Sequence, residues 1–258
     1  MNQDITPNNP VLGVNRAFDI LELILQENQL SLGEIANKTG VAKSTAHRYL
    51  KTLESRGYLI YENNEYKISH RFTIFTHHIR TRNSYYPLIQ EKISDVAEKT
   101  GELVQFGIEE YGSIIYIFSS RGSQGIQINA EVGKPDPLHS TACGKAIMST
   151  WSTEEIDTYI KINGLQQITS QTITDSETLH QNLQQTNERG YSINNQENIE
   201  QLKAIGVPVR DSNNQCIGAI SVAGPTRRMN QTRFENELID FLLGISNELE
   251  LNFRFKTN

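Results

Sequence analysis

The sequence predicts two domains, a small α+β domain at the N-terminus and a larger α/β domain after it. The chain has 258 residues, whereas single domains usually run about 100–200 residues. Apolar residues follow a helical spacing up to Gly57 and a two-residue alternation after it. The composition changes near residues 84–87. We therefore assign residues 10–69 to the first domain, residues 70–83 to a linker helix and residues 84–258 to the second domain.

The first domain begins with an amphipathic helix and a second, shorter helix. Apolar residues recur every three or four positions in "VNRAFDILELIL" and predict one buried face: Val14, Ala17, Phe18, Leu21, Ile24 and Leu25. Ser31 followed by Glu34 is typical of a capping box at a helix start. Gly40 is a natural helix terminator.

The third helix is predicted from about Ala42 to Ser55, in "AKSTAHRYLKTLES". Its apolar positions fall on one face: Ala46, Tyr49, Leu50 and Leu53. Polar and basic side chains occupy the rest of the surface. "YLIYENNEYKIS" then alternates around Asn63-Asn64, as in a β-hairpin. This order of elements is the layout of a winged helix-turn-helix, in which the third helix can enter a major groove.

The linker and the second domain show mixed helix and strand patterns, which favour an α/β fold. The linker helix carries Phe72, Phe75 and Ile79 on one stripe, and a second helix ends at Gly101. Strands at 103–110 and 113–122 follow around a Tyr-Gly turn, and the next helix starts near Gly144. Two helices then begin with capping boxes at Ser152–Glu155 and Thr174–Glu177, the latter ending at Gly190, and the chain continues with a hairpin around Asp211–Asn214 and a closing helix over 231–253 that includes Phe234.

Charge is distributed unevenly. The net charge is −6, but residues 1–82 carry ten Lys and Arg against eight Asp and Glu, and residues 38–56 carry five against one. A basic patch on an otherwise acidic protein suits local contact with phosphates. Two cysteines cannot form a disulfide framework. The N-terminus does not read as a signal peptide, and no apolar run reaches the length of a membrane span, so we expect a soluble, cytoplasmic protein.

Three stretches resemble the IclR family of transcriptional regulators: "AKSTAHRYLKTLESRGYL", "LHSTACGKAIMS" and "RGYSINNQENIEQLKAIGVPVRDSNNQCIGAISVAGP". The resemblance implies a winged helix-turn-helix domain, a linker helix and a GAF-like effector-binding domain, with a mainly antiparallel sheet. It also implies a homodimer, in some members a tetramer formed as a dimer of dimers, that represses or activates genes. We therefore expect sequence-specific binding to a palindromic double-stranded operator, modulated by a small-molecule effector.

The polar face of the third helix supplies the candidate DNA contacts. Basic side chains can bind phosphates or guanine edges, and hydroxyl or imidazole groups can bind phosphates or bases. The predicted DNA-binding residues are Lys43, Ser44, Thr45, His47, Arg48 and Lys51, with Asn63 and Asn64 at the tip of the wing. The alternative to DNA contact is a polar helix face that is only solvated. The two asparagines either reach the DNA or only form the turn.

The resemblance also implies an effector site. Family ligands lie against backbone at positions matching Ala142 and Cys143, at a helix start that favours anions. The positions that supply polar side chains match Asn194, Ala204, Ser221 and Ala223. Members that bind small 2-oxo acids tend to have an acidic residue, Cys and Ser where this chain has Asn194, Ala204 and Ala223. We therefore expect a larger or less polar effector, or a pocket no longer used. A packed core without a ligand is the alternative.

Two chemical alternatives involve His139 and Cys143, which stand four residues apart. They could ligate zinc, but no second ligand pair is evident. They could act as base and nucleophile, but no orienting third group is evident. We expect no metal, no cofactor and no catalysis. The rival function is a metabolite-binding protein or hydrolase whose N-terminal domain serves only association. A constitutive DNA-binding protein whose second domain only oligomerises is a third possibility.

Overall fold

The chain divides between Ser84 and Tyr85 into two compact units. A computed structural model describes residues 10–126, 132–233 and 237–256. Within these residues, no helix is both long enough and apolar enough to cross a membrane.

The N-terminal unit combines helices with a small three-stranded sheet. Its helices are α1 (Leu12–Glu27), α2 (Leu32–Thr39), α3 (Lys43–Ser55) and α4 (Thr73–Thr81), with a 3-10 turn at His70–Phe72. Its strands are β1 (Gln29–Ser31), β2 (Leu59–Glu62) and β3 (Glu65–Ile68), paired antiparallel in the order β1-β3-β2. The predicted helix, short helix, helix and hairpin are therefore confirmed.

The core of this unit corrects the predicted face of α1. Ile20 and Ile24 are fully buried, where they join a cluster with residues of α2, α3 and β3. Val14, Phe18 and Leu25 are 52 %, 58 % and 66 % exposed. Helix α1 has apolar residues on more than one side, and the periodicity alone could not tell which side its neighbours cover. An apolar surface on α1 is left exposed.

The C-terminal unit is a six-stranded antiparallel sheet covered by helices. Its strands are β4 (Leu103–Glu110), β5 (Ser113–Arg121), β6 (Pro135–Pro137), β7 (Ser192–Asn195), β8 (Leu202–Arg210) and β9 (Cys216–Pro225), in the order β6-β5-β4-β9-β8-β7. Its helices are α5 (Tyr86–Thr100), α6 (Ala142–Met148), α7 (Thr153–Asn163), α8 (Ser176–Arg189), α9 (Gln231–Arg233) and α10 (Ile239–Lys256), with a 3-10 turn at Leu138–Ser140. The predicted Phe234 lies outside the described residues.

Alternation along the strands sends side chains to opposite faces of the sheet. On β4, Val104 and Phe106 pack in the core that includes residues of α5 and α10. Leu103 packs instead in a small cluster with Ala142, at the start of α6. The same alternation on β8 and β9 places small side chains toward α6. These small residues leave the space that the next subsection describes.

Side-chain caps mark the starts of α2, α6, α7 and α8. The capping boxes of Ser31 with Glu34 and of Ser152 with Glu155 are both formed. The predicted box at Thr174 is wrong, because Asp175 is the N-cap of α8 and accepts the backbone N–H of Thr178 at 2.8 Å. Helix α6 begins at Ala142, two residues earlier than the predicted start near Gly144.

We predict that Asp175→Ala lowers the thermal unfolding midpoint of the C-terminal unit by roughly 2–4 °C. Hydrogen bonds from Thr178 hold the pKa of Asp175 below its usual value. The stabilisation is therefore present above the unfolded pKa of about 3.9 and is lost as pH falls through the lowered folded pKa. Thermal melts of the purified protein at several pH values measure this. Thr174→Ala is the matched control, and an equal effect of both substitutions would contradict the assignment of the cap.

Candidate functional site

Helix α3 has one buried face and one exposed polar face. Ala46 and Leu50 are fully buried and anchor the helix in the core of the N-terminal unit. Five of the six predicted contact residues on α3 are exposed and Thr45 is half-buried; the exposed ones are Lys43, Ser44, His47, Arg48 and Lys51. The structure therefore brings all six onto the surface of one helix.

The basic residues of α3 differ in their surroundings. Lys51 Nζ lies 2.9 Å from Glu54 Oε2 and 5.4 Å from the centre of the Tyr61 ring on β2. The hydrogen bond to Glu54 raises the pKa of Lys51. Within the described part of the chain, Lys43 and Arg48 form no ion pair. Lys51 therefore links α3 to the wing, whereas Lys43 and Arg48 present their charges outward.

The tip of the wing is a tight turn at Asn63 and Asn64. Both residues have positive φ, 53° and 66°, which asparagine tolerates better than most residues. The hydroxyl of Tyr61 donates to Asn64 Oδ1 at 3.1 Å. The asparagines thus form the turn, and their side chains remain exposed.

The C-terminal unit contains a small cavity between the sheet and the start of α6. It leaves about 20 Å³ in which the centre of a water-sized molecule fits. Five of the six predicted effector-site residues line it, namely Ala142, Asn194, Ala204, Ser221 and Ala223. The lining residues that the sequence did not suggest are Gln105, Tyr116, Thr141, Asn198, Ile199 and Leu202.

The cavity is assembled by cross-strand register. Gln105 on β4 faces Ser221 on β9, and Ala204 on β8 faces Ala223 on β9. Direct cross-strand partners stand side by side on one face of the sheet. The alternation pattern predicts which residues share a face. It does not predict that Gln105 and Ser221 meet, because they are far apart in sequence.

The start of α6 is fixed against the sheet. The hydroxyl of Ser192 donates to the carbonyl of Ala142 at 2.6 Å. A Cβ added to Gly206 on β8 would lie 2.6 Å from that same carbonyl oxygen, so glycine permits the close approach. Thr141 Oγ1 accepts the backbone N–H of Gly144 at 3.0 Å. One of the helix-start N–H groups considered for an anion is therefore already bonded to a side chain.

Asn194 has a structural role in the cavity wall. Its Nδ2 donates to the carbonyl of Ser140 at 2.8 Å, and its Oδ1 accepts the backbone N–H of Glu197 at 2.9 Å. The amide therefore joins the end of β7 to the turn before α6. An acidic residue here could accept the second hydrogen bond but could not donate the first.

A buried ion pair lies between α6 and the connection from β7 to β8. Lys145 Nζ lies 2.7 Å from both carboxylate oxygens of Glu197, and the two side chains are 0 % and 7 % exposed. Burial lowers the pKa of Lys145, and the charge of Glu197 opposes this shift. The sequence signal was a lysine within the apolar stretch "ACGKAIM". A buried lysine almost always has a partner.

His139 and Cys143 point to different partners. The ring of His139 is bonded at 3.0 Å to the hydroxyl of Tyr159 and at 3.0 Å to the carbonyl of Gln166. The thiol of Cys143 donates to the carbonyl of Ala219 at 3.3 Å, in a second apolar cluster behind the cavity. Burial raises the pKa of Cys143 to about 12. A thiol with this pKa is inert at neutral pH, and no cluster of potential metal ligands occurs among the described residues.

Two family models match the chain. The model for the bacterial transcriptional regulator IclR C-terminal domain matches residues 81–250. The model for the IclR helix-turn-helix domain matches residues 13–62. Together they cover both units that the structure separates.

Relatives and solved structures agree with these matches. The chain is 28 % identical to the HTH-type transcriptional regulator KdgR of Escherichia coli over 87 % of its own length and 86 % of the relative's. It is similar to the crystal structure of the Thermotoga maritima IclR, with a TM-score of 0.81, 27 % identity, and coverage of 93 % and 98 % of the two chains. An IclR homologue from Microbacterium hydrocarbonoxydans complexed with 4-hydroxybenzoate shares the fold, with a TM-score of 0.76, 18 % identity, and coverage of 94 % and 99 %.

We predict that Glu197→Gln lowers the free energy of unfolding of the C-terminal unit by about 3–5 kcal/mol, because Lys145 would stay buried without a counter-charge. Chemical denaturation followed by the fluorescence of Trp151, the single tryptophan, measures this. Glu200→Gln, at an exposed position in the same connection, is the matched control. Lys145→Met/Glu197→Leu should recover most of the loss. A loss below about 1 kcal/mol would place the ion pair among those that contribute little.

Proposed function

The chain belongs to the IclR family of bacterial transcriptional regulators, and we propose that it reads its operator through the exposed face of α3. It is a sequence-specific DNA-binding regulator whose operator binding responds to a small-molecule effector. The observation that supports the residue assignment most strongly is the outward position of Lys43 and Arg48 above a face that buries Ala46 and Leu50.

The proposed DNA contacts divide along α3. Lys43, Ser44 and Thr45 occupy its first turn, which enters the major groove first in helix-turn-helix proteins. His47 and Arg48 follow on the exposed surface. Lys51 serves mainly to hold the wing, and it contacts phosphate only if it leaves Glu54. Asn63 and Asn64 are proposed to reach the backbone or the neighbouring groove.

The exposed apolar surface of α1 supports the proposal of a homodimer. Val14, Phe18 and Leu25 stand on this helix with more than half of their surface in solvent. Contiguous apolar surface of this kind marks an interaction site. A second copy covering it would pair two α3 helices on a palindromic operator, about 34 Å apart. A tetramer formed from two dimers is the further possibility.

The cavity of the C-terminal unit is the proposed effector site. Ala142, Asn194, Ala204, Ser221 and Ala223 line it, and Cys143 would contribute only backbone, since its thiol bonds to Ala219. Alanine at two positions leaves fewer hydrogen-bonding groups, so the effector is larger or less polar than a small 2-oxo acid. Residues 84–258 would hold the effector, residues 70–83 would transmit the signal, and residues 10–69 would bind DNA. The effector must bind one arrangement more tightly to shift the population.

We also propose that the protein is cytoplasmic and not an enzyme. The raised pKa of Cys143 and the hydrogen bonds that occupy both ring nitrogens of His139 oppose a catalytic pair. The rival function, an enzyme or metabolite-binding protein with an association module at its N-terminus, predicts no salt-dependent DNA affinity. Binding through phosphates weakens steeply as salt rises.

We predict that Arg48→Ala weakens binding to DNA fragments selected by the protein from a random double-stranded library by about 1–3 kcal/mol. Titration of a labelled selected fragment, repeated at several salt concentrations, measures the affinity and its salt dependence.

Arg56→Ala is the matched control, because Arg56 is exposed but caps the far end of α3. The DNA affinity of the Arg56→Ala protein should equal that of the unsubstituted protein. Equal losses from both substitutions would indicate only general attraction between positive charge and DNA. No loss from Arg48→Ala would remove this residue from the contact set.

A further inference from the structure

The cavity is too small for the ligand that the proposed effector response requires. Its free volume of about 20 Å³ suits roughly one water molecule, which needs about 10–15 Å³ on this measure. Any metabolite would have to displace a wall. The identity of the movable wall can be inferred from the contacts that hold each of the described walls in place.

The strand walls and the start of α6 are held firmly. Gln105 and Ser221 lie on β4 and β9, the two central strands, which pair with a strand on each side. Ala142 is tied to Ser192 by the hydrogen bond at 2.6 Å. Moving any of these would break backbone ladders or a buried hydrogen bond, which is costly away from water.

The remaining described wall is the connection from β7 to β8, residues 196–201, which carries Asn198 and Ile199. Gln196 and Gln201, at its two ends, have positive φ values of 67° and 60°. Such conformations store strain in residues other than glycine and are frequent at functional sites and switch regions. The backbone N–H of Gln201 donates to Gln196 Oε1 at 3.1 Å, so the two ends are joined directly.

The first part of this connection is anchored. Glu197 is bound through its carboxylate to Lys145, and its carbonyl accepts the hydroxyl of Thr172 at 2.6 Å. Its backbone N–H donates to Asn194. Movement of the connection would therefore begin after Glu197. We call residues 198–201 the flap.

The far end of the flap is fixed, because the carbonyl of Gln201 accepts the backbone N–H of Thr226 at 2.9 Å. Its middle, at Asn198 and Ile199, is held by fewer contacts. The hydroxyl of Ser140 lies within hydrogen-bonding distance of Asn198 Oδ1, at 3.4 Å, and of the carbonyl of Pro137, at 3.2 Å, so the bond to Asn198 is long and shared. Ile199 is only partly buried and packs on the apolar cluster that includes Ala204 and Ala223. Long side-chain hydrogen bonds at a partly exposed residue break more easily than a strand ladder.

We propose that the flap opens to admit the effector and closes over it, with Asn198 as the latch and with Asn198 and Ile199 as contacts that select the effector. This inference rests on the proposed effector function. In the closed state Asn198 accepts a hydrogen bond from Ser140, while the Lys145–Glu197 ion pair holds the base of the flap. An effector that takes over the hydrogen bond of Asn198 would stabilise a state in which the flap is closed over the bound molecule and the cavity is larger than in the ligand-free protein.

Opening can be measured in the ligand-free protein with a cysteine placed inside the cavity. Ala204→Cys puts a thiol at a position that is 5 % exposed, and N-ethylmaleimide is the probe. Peptide mass spectrometry gives the labelling rate of each cysteine separately. Adding Asn198→Ala should raise the rate at position 204 about fivefold, because about 1 kcal/mol of hydrogen bonding to the closed state is lost.

Two controls separate flap opening from general loosening. Asn195→Ala, an exposed asparagine just before the connection, should leave the rate at position 204 unchanged. Cys143 is fully buried in the neighbouring apolar cluster and reports global opening in the same sample. An unchanged rate at position 204 in the Asn198→Ala protein, or an equal rise at Cys143, would overturn the proposal.

Hydrogen exchange of the unsubstituted protein tests the flap without any variant that could misfold. The amides of residues 198–201 should exchange faster than those of β8 and β9. Exchange as slow as in the strands would overturn the proposal. Neither measurement uses DNA or an effector, so a failed flap leaves operator binding standing, and a protein that does not bind DNA leaves the flap result standing.

Discussion

The arrangement of the cavity between the sheet and α6 depends on the buried ion pair between Lys145 and Glu197. Every residue of α6 is buried, so the Lys145 ammonium would be left without water or a counter-charge if Glu197 moved away. Glu197 also accepts the backbone N–H of Asn195 at 3.1 Å. Two buried charges with these bonds hold their elements in one relative position, since separating them is far more costly than keeping them together. The connection at Glu197 is therefore fixed to the middle of α6.

In the N-terminal unit, one helix both packs in the core and presents charge to solvent. Helix α3 supplies Ala46 and Leu50 to the core and presents Lys43 and Arg48 to solvent. Lys51 belongs to the same basic cluster in sequence, yet it is bound to Glu54 and lies over Tyr61. The amino-acid sequence alone does not distinguish these three basic residues. The structure separates two outward charges from one that braces the wing.

The sequence was sufficient for the fold class, the family and most of the longer helices and strands, because periodicity, capping residues and turns are local signals. It did not predict the short strands β1, β6 and β7. Ser152 with Glu155 formed the expected box, whereas Asp175 replaced Thr174 because both are competent caps and only backbone geometry chooses between them. Long-range contacts were harder to predict. Gln105 and Tyr116 line the cavity through strand register and packing, and no local pattern specifies which distant residue a strand residue meets. The exposed side of α1 was missed for the same reason.

The central claim is that the outward face of α3 reads a specific operator. The most direct measurement is a pull-down of sheared genomic DNA by the purified protein, followed by sequencing, beside a Lys43→Ala/Arg48→Ala protein. Our account predicts enrichment of one inverted-repeat site that is lost with the double substitution, because Lys43 and Arg48 are the proposed contacts to phosphates and bases. No enrichment, or enrichment that survives the double substitution, would contradict it and leave α3 as a helix that serves the core alone.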